Sequence, residues 1–309
     1  MTLHRQPPAA LDWGLLALLG VMWGGSFLGV ELALDSLQPI WVATGRIALA
    51  AILLLTIALI VGDGLPSFAT RTDKRVWLHC FGMGMFTNAI PFSLLSWGQQ
   101  NVTSSFAGIT MAVVPLLVLP LSHFLIPGER LTRHRVAGFA VGFAGVVVLI
   151  AGDQLVSGSF DLAGDSMLPA QLACVAASCC YAFGAIITRL CPPVSTLSFA
   201  AAGLVCATVV LVPVALLTAG LPDVITSTSL WGVLYLALLP TGAATILLTV
   251  IIRRAGPPFL SLVNYQVPVW AVVIGAVVLS ETIRGHFITA LVIILAGLAV
   301  AQRTPRAAS

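Results

Sequence analysis

One stretch of this chain is written twice. Ser104 to Ile150 reads as an apolar segment with a proline in its middle, a short loop bearing a glutamate, and a second apolar segment. Pro257 to Val300 has the same layout, with Phe106 falling on Phe259, Pro115 on Pro268, Glu129 on Glu281 and Gly145 on Gly297. A repeat near half the chain length requires two related halves, and a shared site belongs where they meet.

Hydropathy says what each half is made of. Of 309 residues 59% are hydrophobic and only 8% charged, and the mean hydropathy is +1.06. A soluble core cannot hide that much apolar surface, so the chain belongs in a bilayer. Ten apolar segments are each close to the roughly 20 residues that cross a hydrocarbon core of about 30 Å. They begin with Leu11–Ala33 and Pro39–Val61, include Val76–Gly98 and Leu230–Ile252, and end with Phe287–Gln302. The expected fold is an all-α integral membrane protein of ten transmembrane helices. Two five-helix repeats occupy 1–151 and 169–302, joined by an external linker at 152–168. Arg5 followed by a long apolar run without a small-residue cleavage site reads as a retained first helix and not a signal peptide.

Basic residues set the orientation. If both termini are cytoplasmic, twelve of the 14 Lys and Arg fall inside: Arg5, Arg71, Lys74, Arg75, Arg130, Arg133, Arg135, Arg189, Arg253, Arg254, Arg303 and Arg306. The outside loops then hold Asp35, Asp153, Asp161, Asp165 and Asp223, which is the positive-inside pattern. Five helices per half put the halves in opposite orientations, as in many secondary transporters. A net charge of only +3 in loops argues against nucleic acid as a partner. The six cysteines lack the paired spacing of a zinc site, so neither a metal nor a cofactor is expected, and they read as packing residues. The sequon Asn101-Val102-Thr103 reads as a chance match.

Polar groups inside apolar spans are the functional candidates, because lipid penalises them and protein or water must satisfy them. The substrate-path candidates are Trp23, Ser26, Asn88, Tyr181, Thr241, Thr245, Asn264, Tyr265 and Gln266. Thr241, Thr245 and Thr249 recur every four residues and form one stripe, although such hydroxyls also bond back to their own helix. Pro91, Pro115 and Pro268 are expected helix kinks, each freeing a carbonyl one turn earlier. Arg46, His79, Trp97, Gln99 and Met111 are candidates for substrate contact or gating. For Arg46 two readings stand: its stem snorkels to the outer interface to meet Glu31 or Asp35, or it offers a fork to a substrate carboxylate. Trp13, Trp41, Trp77 and Trp231 read as interface anchors, and Trp270 as a deeper wall. Gly138, Gly142 and Gly145 fit close helix packing, either internal or in a homodimer.

The chain resembles the drug/metabolite transporter superfamily, EamA type. The resemblance rests on Trp23-Gly24-Gly25-Ser26, Pro127-Gly128-Glu129-Arg130-Leu131, Ala144-Gly145-Val146-Val147, Ala296-Gly297-Leu298-Ala299 and the proline-centred repeat, in order over nearly the whole chain. Within it the chain is most similar to exporters of amino acids and related metabolites, including the YddG type. The second loop departs from the pattern, having Ser280-Glu281-Thr282. The resemblance implies a multi-pass protein of the bacterial inner membrane, monomer or homodimer, that exports amino acids or similar small metabolites, aromatic ones included, by alternating access. All eleven acids sit in tails, loops or at helix ends, which favours facilitated over proton-coupled movement. The competing readings are a proton antiporter of drugs or other metabolites and a membrane receptor that moves nothing. No His/Asp/Glu cluster at one depth supports an enzyme.

Overall fold

The structure, a computed structural model, describes residues 8–62, 64–157 and 167–302. Nine helices long and apolar enough to cross a membrane occur among them: α1 Ala10–Ala33, α2 Pro39–Val61, α3 Arg71–Gly98, α4 Ser104–Leu125, α5 Arg133–Gly152, α6 Met167–Leu190, α7 Thr196–Ala219, α8 Ser227–Ala255 and α9 Pro257–Val278. A shorter apolar helix, α10, covers Gly285–Ala301. Its 17 residues stand at the lower limit for a span. The expected linker at 152–168 lies mostly outside the described residues, as do Arg5, Arg303 and Arg306.

Capping makes several helices longer than hydropathy indicates. Thr70 accepts from the Asp73 amide at 3.1 Å while Asp73 accepts from the Thr70 amide at 2.9 Å, so α3 begins at Arg71 and not at Val76. Thr226 accepts from the Ser229 amide at 3.2 Å, which starts α8 at Ser227, ahead of the apolar run from Leu230. Between α8 and α9 only Gly256 intervenes, at φ 90°, a conformation that disfavours a Cβ.

The helix pairings have two-fold character. α5 packs on α10, α2 on α7 and α4 on α9. α1 packs on α9 as α6 packs on α4, and α3 on α6 as α8 on α1. Exchanging each helix with the one five places along maps every one of these contacts onto another or onto itself. The local irregularities repeat as well. A π-helical turn spans Gly84–Ala89 in α3 and Ala237–Ala243 in α8, and 237 minus 84 equals 259 minus 106, the repeat step of 153.

The glycines of α5 serve an internal contact. Gly138 and Gly142 lie against Gly297, and Gly145 against Ile294 and Ala290, so two backbones meet without side chains between them. The surface facing away from these contacts is apolar: Leu217 is 86% exposed, Phe124 and Ile60 79%, Val277 76%. Hydrocarbon satisfies such a belt where water would not.

Candidate functional site: a cavity between the halves

A cavity of about 870 Å³ lies between the halves, lined by residues of α1, α2, α3, α4, α6, α7, α8 and α9. Its wall repeats. Asn88 and Thr241 both line it, as do Met111 and Asn264, Phe92 and Thr245, and Val114 and Val267. In each pair the second number exceeds the first by 153, so the cavity sits on the axis relating the two halves.

Proline explains how these helices bring polar atoms to the wall. A proline clashes with the carbonyl four residues earlier and gives it no N–H. For Pro91, Pro115 and Pro268 that residue is Thr87, Met111 and Asn264, and all three line the cavity. Met111 opens a 3-10 segment, Met111–Val113, just before Pro115. At Pro240 the freed Leu236 carbonyl is taken instead by the Thr241 hydroxyl, at 2.8 Å.

Seven of the nine substrate-path candidates converge here: Trp23, Ser26, Asn88, Tyr181, Thr241, Thr245 and Asn264. Two point elsewhere. The Tyr265 hydroxyl donates to Gln302 Oε1 at 2.9 Å, and Gln266 packs where α1 passes at Gly20. Of the gating candidates, Arg46, Gln99 and Met111 line the cavity. His79 is half-buried outside the cavity lining, its Nδ1 2.7 Å from the Arg75 carbonyl, and Trp97 is 43% exposed away from the cavity wall. Trp270 lies against α1 at Gly24. The threonine stripe is back-bonded, Thr245 to the Thr241 carbonyl at 2.7 Å and Thr249 to that of Thr245 at 3.0 Å, yet Thr241 and Thr245 still border the cavity. Apolar walls such as Phe27, Phe92, Leu95 and Leu248 were not singled out from the sequence, although the repeat step links Leu95 to Leu248.

Arg46 does not reach the outer interface. It is 5% exposed, its Nε donates to Thr241 Oγ1 at 2.8 Å, and its guanidinium lies 3.6 Å over the Phe92 ring. Glu31 and Asp35, its expected partners, border a separate shallow pocket with Gln100 and Thr228.

The two ends of the cavity differ. At one end it reaches Thr188, Arg189, Pro257 and Leu260, and the first three are exposed. This basic end also holds two ion pairs between the halves, Arg254 to Asp12 at 2.6 Å and Arg189 to Glu129 at 2.7 Å. Hydrogen bonds from Arg189 and then Arg135 hold the Glu129 carboxyl below its ordinary range. The contribution of this group is therefore present above the ordinary carboxylate range and fades only as pH falls through the lowered value.

The opposite end is closed. Phe27, Val30, Leu95 and Gln99 line the cavity there and are buried, and Gln99 Nε2 donates to the Phe27 carbonyl at 2.9 Å. Beyond them the halves are tied together. Ser36 N donates to Ser229 Oγ at 2.9 Å and Thr226 Oγ1 to Asp35 at 2.6 Å. Glu281 accepts from the amides of Ser104 at 2.7 Å and Ser105 at 3.1 Å, at the first turn of α4, where the helix dipole favours an anion.

The two asparagines have oxygen to spare. Asn88 spends its amide N–H on Met83 Sδ at 3.4 Å and Asn264 on the Ser261 carbonyl at 3.0 Å. Neither Oδ1 has a recorded partner among the described residues. Asn88→Ala and Asn264→Ala are each expected to weaken apparent substrate affinity by about 2- to 12-fold, the equivalent of one hydrogen bond of about 0.5 to 1.5 kcal/mol. Variants made in normal amount that transport like the parent would remove both residues from the site.

Comparison with known proteins places this geometry in context. The profile of the EamA-like transporter family matches residues 12–151 and again 168–302. The chain is 26% identical over 273 residues to the uncharacterized inner membrane transporter YedA of Escherichia coli (strain K12), covering 88% of this chain and 84% of that protein. It is 27% identical over 286 residues to protein PecM of Dickeya dadantii, covering 91% and 89% respectively. A probable terminal-alkyne amino-acid exporter of Streptantibioticus cattleyicolor is 27% identical over 137 residues, 44% of this chain and 43% of that protein. A crystal structure of a protein superposes with a TM-score of 0.64 at 22% identity, covering 96% of this chain and 97% of that one, which establishes a shared fold.

Proposed function

From the premise that the chain belongs to the EamA-like transporter family, we propose that it exports small metabolites, amino acids foremost, across the bacterial inner membrane by alternating access. The observation that carries this reading is the cavity itself. It lies between the halves, is walled by equivalent residues of both, opens to one end and is closed at the other. A cavity on a two-fold axis can be exposed to either side by exchanging the roles of the halves. Rims of Arg189, Arg253 and Arg254 at the open end fit the cytoplasmic side. The described conformation then faces inward, where an exporter loads.

Trp23, Phe27, Phe92 and Tyr181 give the wall an aromatic character that suits an apolar or aromatic side chain. The relative described as an amino-acid exporter supports the same substrate class. Movement is uncoupled in this reading, since none of the described residues lining the cavity is Asp or Glu, and His79 lies away from it. Solute flux into proteoliposomes containing only this chain is expected to saturate, to reverse with the solute gradient, and to change little when a pH gradient is imposed. Uphill accumulation driven by that pH gradient would overturn the uncoupled mechanism. Absence of flux for every amino acid and related metabolite would favour a receptor.

A further inference from the structure

We propose that Arg46 is the anchor of the substrate, so that the cavity selects molecules carrying a carboxylate and turns away the corresponding amines. The inference rests on the cavity being the transport path and names the group by which a substrate is recognised.

Three observations carry it. First, Arg46 is 5% exposed and makes no ion pair among the described residues, whose recorded salt bridges join Arg135 and Arg189 to Glu129 and Arg254 to Asp12. An unpaired charge at this depth costs several kcal/mol unless something compensates it. Second, the side chain is fixed in place. Thr241 takes Nε at 2.8 Å, Thr241 is itself tied to the Leu236 carbonyl at 2.8 Å, and Phe92 supports one face of the guanidinium. Thr241 and Phe92 come from different halves, so the guanidinium is held at their junction. Its two terminal nitrogens have no recorded protein acceptor. They are also absent from the fully enclosed unpartnered side-chain polar atoms among the described residues, which are Thr87 Oγ1, Gln99 Oε1 and Gln171 Oε1. The small exposed part of Arg46 therefore borders the cavity that it lines. Third, the cavity is electrostatically one-sided. Its described lining contains Arg46 and Arg189 and no Asp or Glu, and Arg189 is engaged by Glu129 at 2.7 Å. Arg46 alone is left without a carboxylate partner among the described residues.

A carboxylate completes this arrangement. Two parallel N–H···O bonds from a guanidinium edge match its two oxygens, and water exclusion strengthens them. The apolar body of such a molecule would rest against Trp23, Phe27, Phe92 and Leu248. An ammonium has no acid to meet on this wall, so an amino acid is recognised through its carboxylate.

The test uses three probes that share a phenyl group: 3-phenylpropanoate, phenylalanine and 2-phenylethylamine. Radiolabelled 3-phenylpropanoate is bound to the full chain in lipid nanodiscs, against empty discs, and competed with each unlabelled probe. Both carboxylates are expected to compete and the amine to be weaker by about ten- to a hundredfold, the range for hydrogen bonds to a charged group. Arg46→Gln is expected to abolish that preference, and Arg46→Lys to keep the sign of the preference with lower affinity, since lysine retains charge without the fork. Equal competition by the amine, no carboxylate binding, or an unchanged preference in a folded Arg46→Gln protein would each overturn the proposal. Carboxylate-selective binding without flux in proteoliposomes would leave Arg46 as the anchor and sink the transporter reading. Flux of the amine in preference to the carboxylates would do the reverse.

Discussion

The substitution Gly297→Val is expected to unfold much of the protein. A Cβ at this position would stand 2.5 Å from the Gly142 amide nitrogen, 2.6 Å from the Gly138 carbonyl oxygen and 2.8 Å from the Gly142 Cα. These are backbone atoms, so no rotamer change relieves the clash and α5 and α10 must separate. Overpacking costs about 1 to 3 kcal/mol where side chains can adjust, and two rigid helices place this site at or above the top of that range. Gly285→Val is the control, because nothing lies within 4 Å of a Cβ there. Thermal unfolding in detergent should show a large drop for Gly297→Val and little change for Gly285→Val. Equal melting of the two would mean that the α5–α10 contact is not what holds this pair together. Since neither helix contributes to the described cavity lining, material that does fold should bind substrate normally.

Glu281→Ala is expected to release the closed end of the cavity. The carboxylate of one half caps α4 of the other through the Ser104 and Ser105 amides and the Ser105 hydroxyl. Losing hydrogen bonds to a charged group costs about 1.5 to 3 kcal/mol each, part of which water recovers once the end opens. A net change of that order shifts the population toward opening at this end by about ten- to a hundredfold. Val30 lines the cavity just inside the closure and is 3% exposed. In a background lacking the native cysteines, Val30→Cys should react with an impermeant maleimide, added from the Glu281 side, faster by that factor when Glu281→Ala is present. An unchanged rate would show that Glu281 does not hold the gate.

The equivalent gate at the other end cannot use the same bonds. The repeat step carries Ser104 and Ser105 onto Pro257 and Pro258, which have no N–H to offer Glu129. Glu129 instead binds Arg135 at 3.1 Å and Arg189 at 2.7 Å. The halves are alike in fold but their ends are held by different chemistry.

The departure of the second loop from the Gly-Glu-Arg pattern, visible as Ser280-Glu281-Thr282, leaves its glutamate in contact with the other half. Ser280 adopts φ 55°, and Glu281 turns back to the start of α4. Nothing local in the sequence distinguishes a glutamate that caps its neighbour from one exposed on a loop. The partner lies 177 residues away.

By itself the sequence determined the number and type of helices, since apolar runs of bilayer length have no other way to satisfy their backbone. It also carried the repeat that relates the two halves and the concentration of polar groups on α3, α8 and α9. Tertiary structure decided which way those groups face. Asn264, Tyr265 and Gln266 are consecutive, and successive residues on a helix point about 100° apart, so one rotation of α9 admits Asn264 and excludes the other two. That rotation is set by packing against α1 and α4. The apolar wall was invisible because the same leucines and phenylalanines serve lipid, core and cavity alike. Arg46 has a side chain long enough to reach either the interface or the interior. It turned inward because Thr241 and Phe92, one from each half, meet at its position only after the halves have packed.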